Sequence, residues 1–107
     1  MNASNYNIKF NYLYRDAGNY KLFGSVIFTN IGSKSIQSIE LAIRANLIDN
    51  EYFIPEKWKI PRLSFGDYSP ELDHDYHEFE SLEETKDSPT ENNEISTFLK
   101  IITACND

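Results

Sequence analysis

The chain has 107 residues, the size of one domain, and is 40% hydrophobic and 14% aromatic, which excludes a disordered chain and supplies apolar area for a core. One cysteine, Cys105, excludes an internal disulfide, and no stretch approaches the roughly 18 consecutive apolar residues of a membrane span. The formal charge is −7, and between Asp67 and Asp87 nine acids face a single base, Lys86, so this segment carries −8 and the rest is close to neutral.

Met1 to Tyr6 lacks the basic start and apolar run of a signal peptide. Together with the cysteine usage, this predicts a cytoplasmic protein. From Tyr6 onward the chain alternates with a period of two. Tyr6, Ile8, Phe10, Tyr12 and Tyr14 share one strand face, and Asn7, Lys9, Asn11 and Arg15 share the other.

Asp16-Ala17-Gly18 suits a three-residue hairpin loop, with Gly18 in the left-handed region. That loop sets Arg15 opposite Asn19, Tyr14 opposite Tyr20 and Tyr12 opposite Leu22. Asn30 to Ser33 breaks the second strand. Ser33 or Ser35 can cap a helix from about Ile36 to Ile48, with Ile36, Ile39, Ile43 and Leu47 as its apolar stripe.

Glu51 to Phe65 is expected to be extended but interrupted. Tyr52 to Ile54 and Ile60 to Phe65 are short edge strands, each broken by a proline. Asp73 to Leu82 is expected to be a further strand of poor alternation, and the polar run Glu83 to Asn92 reads as a loop. Ile95, Phe98, Leu99 and Ile102 mark a second helix at about 93–105, capped by Thr90 or Asn92. The expectation is a single α+β domain over residues 1–107, an antiparallel sheet led by the N-terminal hairpin with two helices on one face, in ββα-β-β-α order.

Three clusters carry the residue types for function. Asp73, His74, Asp75, His77 and Glu78 are metal-ligand types. On a strand, however, Asp73, Asp75 and His77 point away from His74 and Glu78, and no zinc signature is present, so no metal or other cofactor is expected. Tyr14, Arg15, Asn19, Tyr20 and Lys21 cluster at the hairpin tip. There two cations between rings suit a nucleotide-like small ligand, and the plainer account is a well-made turn.

The third cluster is the acidic run itself: Asp67, Glu71, Asp73, Asp75, Glu78, Glu80, Glu83 and Glu84. Its field repels nucleic acid and anionic membrane and attracts a basic protein surface. Trp58, beside a proline-interrupted edge, is a candidate anchor for such a partner or else a core aromatic. Catalytic elbows and phosphate-binding glycine patterns are missing, and Cys105 suits apolar filling better than nucleophilic attack.

Two stretches, Tyr12-Leu13-Tyr14-Arg15-Asp16-Ala17-Gly18-Asn19-Tyr20-Lys21 with Phe23-Gly24, and Leu72-Asp73-His74-Asp75-Tyr76-His77-Glu78-Phe79, resemble an uncharacterised family of small acidic bacterial and phage proteins. The resemblance implies a compact bacterial or phage-borne domain and carries no activity or site. The expected function is therefore that of a non-enzymatic binder of a basic protein surface, of the toxin-neutralising, immunity or anti-defence inhibitor type. The alternatives are a small-ligand binder at the hairpin tip and a metal-dependent hydrolase at Asp73 to Glu78.

Overall fold

The computed structural model of the chain describes residues 6–16, 18–63 and 76–104. Strand β1, Asn7–Arg15, and strand β2, Lys21–Phe28, form the N-terminal hairpin. The period-two pattern does what it predicts: Ile8, Phe10, Tyr12 and Tyr14 share one face of β1 and are buried.

The register differs from the expected one. Arg15 pairs with Lys21, Tyr14 with Leu22, Tyr12 with Gly24 and Ile8 with Phe28, so Tyr12 does not face Leu22. The loop begins at Asp16 as expected but ends two residues later, at Tyr20. Asp16 N–H donates to Tyr20 O at 3.0 Å, Asn19 N–H donates to Asp16 O at 2.9 Å, and Asn19, with φ of 67°, takes the left-handed seat expected of Gly18. The Asp16 carboxylate decides the matter: its Oδ1 accepts from the N–H groups of Gly18 and Tyr20, both at 2.9 Å. The resulting shift of two residues keeps every side chain on its face, so hydrophobic alternation cannot detect it.

Strand β3, Tyr52–Phe53, and strand β4, His77–Thr85, complete a four-stranded antiparallel sheet among the described residues, in the order β2-β1-β4-β3. Asp73 to Asp75 of the expected strand lie outside the described residues; β4 begins at His77 and runs on through Thr85, into the segment read as a loop. Its alternation is poor because it is bulged. Asn11 pairs with Ser81 and Tyr12 with Phe79, leaving Glu80 as the extra residue.

Helix α1, Ile36–Ala45, is capped by Ser35, whose Oγ accepts from Ser38 N–H at 3.2 Å; it ends earlier than predicted, with Asn46 as C-cap. Where an extended run was expected, Pro55–Trp58 form a short helix, α2. Proline suits a first helical turn because the N–H it lacks would have no partner there. Ile60 to Leu63 form no strand. Helix α3, Ile95–Ala104, lies where predicted, but Glu94 caps it in place of Thr90 or Asn92, its Oε1 accepting from Ser96 N–H at 3.0 Å. Thr90 instead binds the edge of β2, its Oγ1 accepting from Ile27 N–H at 2.8 Å and its own N–H donating to Ile27 O at 3.0 Å.

The helices cover one face of the sheet, as the α+β reading requires. Ile39 and Ile43 of α1, Trp58 of α2, and Ile95, Phe98 and Ile102 of α3 join Ile8, Phe10, Tyr12, Val26 and Phe28 in one core. Phe10 is its centre, with the rings of Tyr12, Phe53, Trp58, Phe79 and Phe98 at 5.3–6.2 Å between centroids. The irregular stretch Pro61 to Leu63 is strapped to the same inner face. Tyr12 Oη donates to Pro61 O at 2.6 Å, and His77 Nε2 accepts from Leu63 N–H at 2.9 Å. A Cβ on Gly24 would lie 2.6 Å from Leu63 Cδ2, so that glycine makes room for the strap.

Candidate interaction surface at the hairpin tip and strand β4

β1 and β4 lie side by side, and this adjacency joins two clusters that are far apart in sequence. Leu13 pairs with Glu78, which sets Glu78 and Arg15 on the outer face, away from the helices. Arg15 Nε donates to Glu78 Oε2 at 2.8 Å and Nη2 donates to Oε1 at 3.2 Å, a two-pronged ion pair. Arg15 Nη1 donates to Asn19 Oδ1 at 2.7 Å. The guanidinium therefore organises the hairpin tip from within.

That arrangement commits Arg15 to partners within the protein. Arg15 and Asn19 bind each other, Tyr14 is buried with its ring 5.1 Å from that of His77, and Tyr20 stands 70% exposed. Lys21 is exposed at the start of β2.

The acidic residues separate. Asp67, Glu71, Asp73, His74 and Asp75 lie outside the described residues. Glu78 is half-buried in its pair with Arg15. Glu80 projects from the bulge, and Glu83 and Glu84 are exposed toward the end of β4. Glu83 accepts from Asn11 Nδ2 at 2.8 Å, whereas Glu80 and Glu84 make no ion pair among the described residues.

Two sequence candidates resolve into structural roles. Trp58 is 4% exposed and stacks on Phe53 with ring centroids 4.5 Å apart, so it is a core residue and no partner anchor. His77 is fully buried, and the lone pair of its Nε2 is committed to Leu63 N–H. His77 and Glu78 point to opposite sheet faces, and no group of three metal-ligating side chains occurs among the described residues.

A feature that sequence reasoning missed adjoins the Arg15–Glu78 pair. Ile48, Asp49, Tyr52 and Tyr76 line an open notch of about 350 Å³. Tyr52 pairs with Glu78 in the sheet, and its ring lies 6.1 Å from that of Tyr76 at an interplanar angle of 59°. The tight turn Ile48 to Tyr52 builds the rim. Ile48 N–H donates to Tyr52 O at 2.7 Å, Tyr52 N–H returns to Ile48 O at 2.9 Å, and Asp49 and Asn50 both take positive φ, 52° and 63°. Asp and Asn tolerate that region better than most residues, so the pair Asp49-Asn50 was the legible signal for a turn there. A hydrogen bond to Glu51 and the charge of that carboxylate push the Tyr52 phenol above its ordinary pKa. No family model, curated protein or solved structure matches the chain.

Proposed function

We propose that this chain is a non-enzymatic binding protein that presents the acidic surface of β4 to a basic protein partner, in the manner of a toxin-neutralising, immunity or anti-defence inhibitor. The observation that carries the reading is the exposure of Glu80, Glu83 and Glu84 along one bulged strand, with Glu80 and Glu84 free of ion pairs among the described residues. A sheet strand holds these carboxylates in place before the partner arrives. Fixed negative charge steers a basic surface into encounter and loses reach as salt shortens the screening length.

The test is association kinetics with the partner captured from a bacterial host. The on-rate should fall as ionic strength rises, and Glu80, Glu83 and Glu84 changed together to Gln should slow association while leaving thermal stability in place. Neutralising Glu40, Glu56 and Glu91 removes the same charge elsewhere and should matter much less. Equal effects from both sets would mean that net charge alone acts, and no effect from either would overturn the reading.

A further inference from the structure

We propose that the open edge of β2 pairs antiparallel with the same edge of a second copy of this chain, about a two-fold axis at Phe23. This inference stands apart from the function proposed above. In the order β2-β1-β4-β3, β2 is an edge strand. Ile27 turns its N–H and C=O away from β1, where Thr90 and Glu91 bond them, and Thr29 O accepts from Ile95 N–H. Along the unbroken register, alternation turns the N–H and C=O of Lys21, Phe23 and Ser25 to the same side. Those groups make no hydrogen bond among the described residues. The three residues are exposed, Phe23 to 57%. An edge left open in this way is a template for another strand.

The edge complements itself. Centring on Phe23 sets that residue opposite its counterpart and sets Lys21 opposite Ser25 of the second copy at both ends, so every open group is used. A register moved toward Phe28 meets the part of the edge that Thr90 occupies, and one moved toward Tyr20 meets the turn. The two Phe23 side chains then form a cross-strand pair and shelter each other from water. Charge selects the same occupant. Lys21 makes no ion pair among the described residues, and it is the one charged residue of β2. Glu91 N–H donates to Ile27 O, which places Glu91 on this edge just beyond Ser25. Lys21 of one copy therefore arrives near Glu91 of the other, twice over. A strand from a basic protein would instead bring its cations against Lys21. The pairing is isologous, so it closes at two copies and joins both sheets into one.

A short edge makes a small interface, so the dimer should dissociate with a Kd on the order of 100 μM. Sedimentation equilibrium of the full chain, from about 10 μM to about 1 mM, should show a reversible monomer–dimer equilibrium in that range. Ser25→Pro removes an outward N–H that β1 does not use, so the fold should persist while dimerisation weakens at least about tenfold. Lys21→Glu should weaken it several-fold, and Lys21→Glu combined with Glu91→Lys should restore it. In a sample mixing labelled and unlabelled chains, an intermolecular NMR contact between the Hα protons of Leu22 and Gly24 should report the register. If Ser25→Pro fails to fold, Phe23→Lys takes its place: two like charges meeting at the axis should abolish the dimer. A chain that stays monomeric up to about 1 mM, a dimer indifferent to the folded edge variant, or intermolecular contacts that lie elsewhere would each overturn the inference. The Glu80, Glu83 and Glu84 to Gln variant should still dimerise, because β4 is not on this edge; loss of the dimer therefore leaves the acidic-surface reading untouched.

Discussion

The two faces of the sheet use the same strands for opposite purposes. On the inner face, Phe10 meets five aromatic rings, and two of the polar groups there, Tyr12 Oη and His77 Nε2, are spent on the backbone of Pro61 and Leu63. On the outer face, Arg15 bonds Glu78 and Asn11 bonds Glu83, in partial contact with water. The difference is one of cost. A buried polar atom left without a partner is expensive, so Tyr12 Oη and His77 Nε2 are committed to structure, whereas an outer group can exchange its partner for water or another protein.

The largest test of this contrast pairs neighbours on β1. Phe10→Ala should destabilise by about 3–5 kcal/mol, since it empties the centre of the aromatic core. Asn11→Ala, one residue on and facing outward, should cost within about 1 kcal/mol. Urea denaturation of the two variants measures both, and comparable losses would break the distinction between the faces.

The second test separates hydrogen bonding from packing on the inner face. Tyr12→Phe keeps the ring and removes the bond to Pro61 O, at a cost of about 1 kcal/mol at neutral pH. Burial, with the charge of Glu91 adding to it, pushes the Tyr12 phenol up to about 12. A phenol whose folded pKa lies above its unfolded value near 10 contributes its full stability below that pH and loses it as pH rises through about 12. Between those values the unaltered protein should therefore lose stability relative to Tyr12→Phe, which denaturation at stepped alkaline pH reads as a shrinking gap between the two.

The smallest effect belongs to the outer face. Glu78→Gln should cost less than about 1 kcal/mol, because the Arg15 and Glu78 side chains remain 35% and 21% exposed and water screens their pair. Its signature should be local: a loosened hairpin tip, seen as faster amide exchange at Gly18 and Tyr20 with core protection unchanged.

The elements that were legible in the sequence are those whose signal is local. The alternation from Tyr6 to Tyr14 specified the inner face of β1, and the stripes Ile39–Ile43 and Ile95–Phe98–Ile102 specified the buried sides of α1 and α3. The hairpin register was not legible, because Asp16 and Asn19 outcompete Gly18 for the turn through side-chain bonds that an alternation pattern does not contain. β4 was blurred for a related reason: the bulge at Glu80 takes one residue out of the period. The short helix α2 hid behind Pro55, which ends a strand and begins a helix equally well.

For the candidate surface the division is sharper. The acidic excess of residues 67–87 is a matter of composition, visible in the chain alone, and so is the sign of the partner it would attract. Which carboxylates remain available was settled only by folding, which brings Arg15 to Glu78 across 63 residues of chain and leaves Glu80 and Glu84 without ion pairs among the described residues. The same holds for Tyr52 and Tyr76, whose rings meet because β3 pairs with β4, and for Trp58, which the core claims before any partner can. Local sequence determines which face of a strand or helix is apolar, since that depends on a residue and its near neighbours; which polar groups neutralise one another depends on strands adjacent in space, and only the tertiary structure decides that.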